Sequence, residues 1–146
     1  MYIGEYSHSV DAKGRMIMPT KFRTKEEGES FVIGMGMAGC LAVYTPDEWQ
    51  KIAQSASELN INTNPESAAF MRFLMSGATE SDVDKTGRIT ISAKLRQYAG
   101  IDKDVCVIGV YSRIEIWDAE RWDNYQKTTI TPEGIRNMMS SIDMAF

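Results

Sequence analysis

Five residues recur in the same order at two places in this 146-residue chain, and together their chemistry is that of anion binding. Asp11, Gly14, Arg15, Lys21 and Arg23 are matched, 73 residues later, by Asp84, Gly87, Arg88, Lys94 and Arg96. Lys13 adds a cation to the first set, where the second has Thr86. An arginine presents two donors side by side to a guanine edge or a phosphate, and a lysine makes a point-charge contact. Residues 11–25 carry +4 and residues 84–96 carry +3 in a chain of net charge −4, which leaves −11 elsewhere. Two basic islands in an acidic body form an electrostatic footprint for a polyanion. Either island alone reads as a solvated polar turn, but their coincidence with a repeat favours binding. The candidate contacts are Lys13, Arg15, Lys21, Arg23, Arg88, Lys94 and Arg96. Asp11, Gly14, Asp84 and Gly87 structure the turns: aspartate accepts backbone N–H bonds, and glycine supplies positive φ.

Other chemistry lacks residues to carry it. His8 is the only histidine, so neither a histidine-based triad nor a histidine metal cluster can be assembled. It reads as a surface or interface residue on a strand. Cys40 and Cys106 lie far apart, in no metal or redox spacing, and read as small core residues. Gly34-Met-Gly36-Met-Ala-Gly39 matches a dinucleotide fingerprint, but the next residues, Cys40–Tyr44, read as a strand where that motif requires a helix. These are expected to be hairpin glycines. No catalytic residue, cofactor or metal is expected. No apolar run approaches the ~20 residues that span a bilayer. The start, Met-Tyr-Ile-Gly-Glu-Tyr, lacks the pattern of a signal peptide, which points to the cytoplasm.

The elements that must position the islands obey the same repeat. Each copy predicts a strand, a turn at Asp11–Gly14 or Asp84–Gly87, a second strand, a short basic segment (Thr20–Glu27 as a helix or turn; Ser92–Tyr98 as a helix) and a hairpin. The first hairpin turns at Met37–Gly39. The 73-residue offset is expected to hold without a gap, so that Gly36 meets Gly109, Leu41 meets Ile114, Tyr44 meets Trp117 and Trp49 meets Trp122. A helix opens at Thr45-Pro46, with Trp49, Ile52, Ala53 and Ala56 on one apolar face. Another opens at Pro65, with Phe70, Phe73, Leu74 and Gly77 on one stripe. Both stripes are expected in the core. Asp118 caps a helix bearing Trp122 and Tyr125. Thr131-Pro132 starts a final helix whose stripe of Ile135, Met138, Met139 and Ile142 covers the core or meets another subunit. A repeat of roughly seventy residues is marginal for a core of its own, so the copies are expected to complete each other.

A duplicated strand, Asp-x-x-Gly-Arg turn, strand, basic helix and hairpin is similar to the AbrB-type swapped-hairpin DNA-binding domains. With both copies on one chain, and with Asp11–Arg15, Pro19, Phe22-Arg23 and Ile114-Glu-Ile-Trp117 in place, the sequence resembles the MraZ family of bacterial regulators of the division and cell-wall gene cluster. The resemblance covers residues 1 to about 125. It implies an α+β, mainly β fold: a pseudo-twofold, intertwined small β-barrel from two internal repeats, with flanking helices. The repeats would span 5–50 and 78–123, joined by a helical connection at 51–77 and followed by a C-terminal helix within 124–146. It implies a cytoplasmic, nucleoid-associated regulator whose partners are double-stranded promoter repeats and itself, as a ring-shaped homo-oligomer. The islands would then be DNA contacts, with the first copy, which has Lys13, as principal reader. The rival reading is a protein-interaction or antitoxin-type module of the same fold, working through its acidic surface.

Overall fold

The computed structural model describes residues 1–144. Strand β1 (Glu5–Ser9) leads through the first island turn into β2 (Arg15–Ile17), followed by a single 3-10 turn at Thr20–Phe22. Strands β3 (Ser30–Met35) and β4 (Leu41–Tyr44) form the first hairpin. Helices α1 (Pro46–Ser57) and α2 (Pro65–Gly77) connect to the second copy. There β5 (Thr79–Asp82), β6 (Arg88–Thr90), α3 (Ala93–Ala99), β7 (Asp104–Val110) and β8 (Arg113–Asp118) repeat the series. Helices α4 (Ala119–Thr128) and α5 (Pro132–Ser141) end it. Residues 145–146, the end of the 124–146 segment, lie outside the described residues.

The copies are intertwined by exchange of their first strands. Strand β1 pairs antiparallel with β7 of the second copy, and β5 pairs with β3 of the first. The hairpins join through β4 and β8, giving a six-stranded sheet in the order β1-β7-β8-β4-β3-β5. A separate two-stranded ribbon, β2 with β6, completes the barrel-like wrap. The ladders therefore do not run continuously around the barrel: β1 and β5 are sheet edges, and each packs against the ribbon strand next to it in the chain.

Two strand pairs lie on the pseudo-twofold axis. In the ribbon, Arg15 faces Thr90 and Ile17 faces Arg88, so the axis passes through the central pair, Met16 and Ile89. In the sheet, Leu41 faces Ile116 and Val43 faces Ile114, centred on Ala42 and Glu115. The core fills the space between with equivalent apolar side chains from both copies, among them Met16 and Ile89, Met18 and Ile91, Phe22 and Leu95, and Leu41 and Ile114, all buried. Tyr44 packs on Trp49 with ring centroids 5.8 Å apart, and Trp117 on Trp122 at 5.2 Å. The two tryptophans thus hold matching places.

The ungapped offset fails in one strand. Val32 faces Tyr44 on one side and Glu80 on the other. Cys106 faces Trp117 and Ser7, the repeat equivalents of those two residues. Val32 therefore corresponds to Cys106, an offset of 74, and Gly36 does not meet Gly109. Phe31 and Val105, Ile33 and Val107 accordingly share the buried face. The second copy spends one extra residue before β7, where α3 has seven residues ending at left-handed Gly100. It recovers the register with a shorter hairpin: Val110 faces Arg113 across Tyr111-Ser112, whereas Gly36 N–H bonds to the Cys40 carbonyl across three residues.

The structure also decides or corrects local expectations. The basic helix of the first copy is only Thr20–Phe22, because the Glu29 carboxylate takes the Thr24 and Lys25 amides and draws the chain into a loop. Pro19, expected at the first position of that segment, stands one residue before it, as its N-cap. On α2, Phe73 and Leu74 are half-buried and Phe70 is exposed, so its stripe is only partly core. The α5 stripe is exposed and does not cover the core. Both cysteines are buried as expected, and burial pushes their thiols up, to about 12 for Cys40 and about 11 for Cys106.

The tightest backbone approach is at the first island turn. Gly14 has φ +82°, and a β-carbon there would collide with the Ile91 carbonyl. Gly28 has φ +76° with nothing nearby. Positive φ alone costs an alanine about 1–3 kcal/mol. Gly14→Ala is therefore expected to melt below Gly28→Ala, the collision adding to a shared strain; equal melting temperatures would show that the close approach is not there.

Candidate nucleic-acid interface

Each island turn is built around one carboxylate. Asp11 Oδ1 accepts the amides of Lys13 and Arg15, both at 2.9 Å, while its Oδ2 accepts Nε of Arg15 at 2.8 Å. Asp84 does the same with the amides of Thr86 and Arg88, at 2.9 Å each, and with Nε of Arg88 at 2.8 Å. Backbone bonds between Asp11 and Arg15, and between Asp84 and Arg88, close the turns. Asp11 and Asp84 thus hold their turns mainly through main-chain donors. The arginines are docked by Nε alone. Among the described residues neither Nη group of Arg15 or Arg88 meets an acceptor, and the side chains keep 34% and 31% of their accessible surface. Each guanidinium is fixed in direction with its paired donors still available.

The halves lock each other's turns. Met18 N–H bonds to the Gly87 carbonyl at 3.0 Å, and Ile91 N–H to the Gly14 carbonyl at 2.7 Å. Arg96 lies against Gly14 and donates Nε to the Ile91 carbonyl at 3.1 Å. Arg23 lies against Gly87, with its Nε 3.5 Å from the Glu29 carboxylate. Arg23 and Arg96 are half-buried braces across the halves, unlike the exposed contacts expected of them. Lys13 and Lys21 are exposed, and so is Lys94, whose Nζ reaches the Ser76 carbonyl at 3.4 Å. The structure brings Arg15 and Arg88, with Lys13 beside the former, onto one ribbon. His8 lies half-buried on β1 opposite Val105, and desolvation lowers its pKa.

Sequence reasoning missed two outward positions on that ribbon. Met16, Met18, Ile89 and Ile91 point into the core, so Ile17 and Thr90 share the outer face with the arginines. The apolar run Met16-Ile17-Met18 hides this alternation. The second copy displays it as Ile89-Thr90-Ile91, and comparing the copies would have found it.

Thr86 replaces Lys13 but is not idle: its hydroxyl donates to Asp84 Oδ1 at 2.8 Å, a bond with no counterpart in the first turn. The Arg15 amide above all, then the Arg15 side chain and the Lys13 amide, lower the Asp11 carboxyl. The corresponding Arg88 amide, with the Thr86 hydroxyl and the Arg88 side chain, lowers Asp84 much further. Because both pKa values are lower folded than unfolded, the stabilisation is present above the ordinary aspartate range near 3.8 and is lost as pH falls through the lowered values. The melting-temperature gap between the native protein and Asp84→Asn should therefore be widest at neutral pH and close in strong acid. A gap constant across that range would contradict the staple.

Comparison with known proteins agrees with this duplicated geometry. The family model described as that of the MraZ protein, antitoxin-like, matches residues 1–73 and again residues 74–134. A relative from Clostridium tetani is 45% identical over 97% of this chain and 99% of its own length. One from Lachnoclostridium phytofermentans is 44% identical over the whole of both chains. A third, from Caldanaerobacter subterraneus subsp. tengcongensis, is 48% identical over 88% of this chain and 89% of its own. Each of the three is named transcriptional regulator MraZ. With two copies of its model accounting for most of the sequence, the chain belongs to the MraZ family.

Proposed function

We propose that this chain is a cytoplasmic, nucleoid-associated transcriptional regulator that binds double-stranded promoter DNA through the β2–β6 ribbon and its two turns. One observation carries the reading. Two arginines related by a pseudo-twofold axis stand on one exposed ribbon, each oriented through Nε and each presenting two uncommitted Nη donors. Two-stranded ribbons are known to enter the major groove, and an arginine there reads guanine or holds phosphate. Lys13, Lys21 and Lys94 supply exposed positive charge for the backbone, while Arg23 and Arg96 act mainly through the turns they brace. The relatives are named transcriptional regulators, and the family resemblance makes the division and cell-wall gene cluster the expected target.

Few contacts per protomer bind weakly at physiological salt. Self-association into a ring would set several ribbons on adjacent repeats and add avidity without any new contact. Two exposed apolar surfaces support assembly. Ile135, Met138, Met139 and Ile142 project from α5. A cavity of about 370 Å³ between the sheet and the α1–α2 pair is lined by Met37, Ile52, Leu59, Phe70, Phe73 and Leu74, among others. Among the described residues no helix is long and apolar enough to cross a membrane.

Light scattering at micromolar concentration is expected to report a large oligomer, with Met139→Glu shifting it to smaller species; a monomer would exclude the ring. Titration of a duplex from the region upstream of the chain's own gene tests the reader. Arg15→Ala should melt close to the native protein, because Asp11 keeps its main-chain bonds and exposed ion pairs contribute little. The variant should nevertheless bind this duplex roughly tenfold or more weakly for each arginine removed from a base edge. Arg88→Ala should weaken binding less, since Thr86 stands where the first copy has Lys13. Unchanged affinity in Arg15→Ala would remove the first copy as reader. Binding to acidic-surface partners with no retention on heparin would favour a protein-interaction or antitoxin-type module instead.

A further inference from the structure

The outer face of the ribbon presents four side chains in two cross-strand pairs, Arg15 with Thr90 and Arg88 with Ile17. The pseudo-twofold axis makes the arginines equivalent and makes Ile17 the counterpart of Thr90. Ile17 is 52% exposed while its neighbours Met16 and Met18 are each 1% exposed. A lone surface isoleucine means little by itself. This one lies between two oriented guanidinium groups, at the centre of the most cationic surface of the chain, where a polar residue would be the ordinary choice and where the other copy has one.

We propose that Ile17 is a specificity-determining residue that recognises a thymine methyl group in the major groove, and that Thr90 gives the other half of the protomer a different preference. This rests on the DNA-binding reading above. Successive outward side chains on a strand are spaced ~6.8 Å apart, which matches two base-pair steps of ~3.4 Å. Arg15 and Ile17 can therefore address positions two steps apart along one groove. Across the axis, Arg88 and Thr90 do the same in the opposite direction. An apolar side chain favours the thymine methyl, whereas a threonine hydroxyl bonds to either donors or acceptors on a base edge. The site read by one protomer is then symmetric at the two positions its arginines address and asymmetric at the two addressed by Ile17 and Thr90. Lys13 on the first turn, with Thr86 at the equivalent place on the second, reinforces that asymmetry at the phosphates.

The test uses the full chain. The native protein is first allowed to select duplexes from a randomised pool. Each thymine of the preferred duplex is then replaced in turn by deoxyuridine, which removes only the methyl group. The native protein should lose about fourfold in affinity at one thymine per bound protomer, the loss expected for one methyl-sized group left unburied. Ile17→Ser should be insensitive to deoxyuridine at that position and should keep its salt-dependent binding to unselected duplex. Thr90→Ile should gain a second methyl-sensitive position. Ile17→Ser that keeps the native deoxyuridine profile, or Thr90→Ile that gains no such position, while Arg15→Ala loses binding, overturns this proposal and leaves the DNA-binding reading standing. A native protein that selects no duplex from the pool overturns both.

Discussion

Neither copy of the repeat can pair its own first strand. A buried backbone donor or acceptor left without a partner costs about as much as a lost hydrogen bond. Strand β1 finds its partner on β7 and β5 finds its partner on β3, so each half of the molecule is finished by the other. That exchange dictates the rest of the architecture. It brings β2 and β6 side by side, puts Met16 and Ile89 on the pseudo-twofold axis, and sets the two turns at opposite ends of one ribbon. It also places Arg96 against the first turn and Arg23 against the second, so each turn is buttressed by the copy that does not contain it. A surface built in this way cannot form on one half alone.

In the proposed reading, the turns separate folding from recognition at the level of single atoms. Each aspartate devotes one oxygen to two main-chain amides and the other to an arginine Nε. The first set of bonds shapes the loop. The second aims a guanidinium without consuming the donors at its outer edge. Orientation is thereby settled before any partner arrives, which lowers the ordering cost of binding. Thr86 departs from this symmetry: where the first copy has an exposed lysine, the second has a hydroxyl that adds a bond to the turn's carboxylate.

Most of this arrangement was legible in the sequence because duplication prints the same constraints twice. The Asp-x-x-Gly-Arg turns and the tryptophan pair follow from residues whose types are dictated locally, and the interlacing of the copies was implied by the family resemblance. What escaped was set by tertiary fit. The one-residue shift of β7 against β3 costs nothing in the sequence pattern, since a longer α3 and a shorter hairpin absorb it on either side. The outward face of Ile17 was masked by methionines on both sides. The first copy's basic helix shrank to one turn because Glu29, a residue outside the motif, captures the amides that would have continued it. The bracing role of Arg23 and Arg96 depends on contacts between copies that no local window contains.

The proposed function puts the β2–β6 ribbon at the face that meets the duplex. Hydrogen–deuterium exchange of the full-length protein, with and without its selected duplex, maps that face without altering a residue. Exchange should slow in peptides covering residues 11–18 and 84–91, more strongly in the first, with α4 unchanged at its exposed side. Slowed exchange confined to α4 and α5, with both turns exchanging as in the free protein, would put the DNA on another surface and rule the ribbon out.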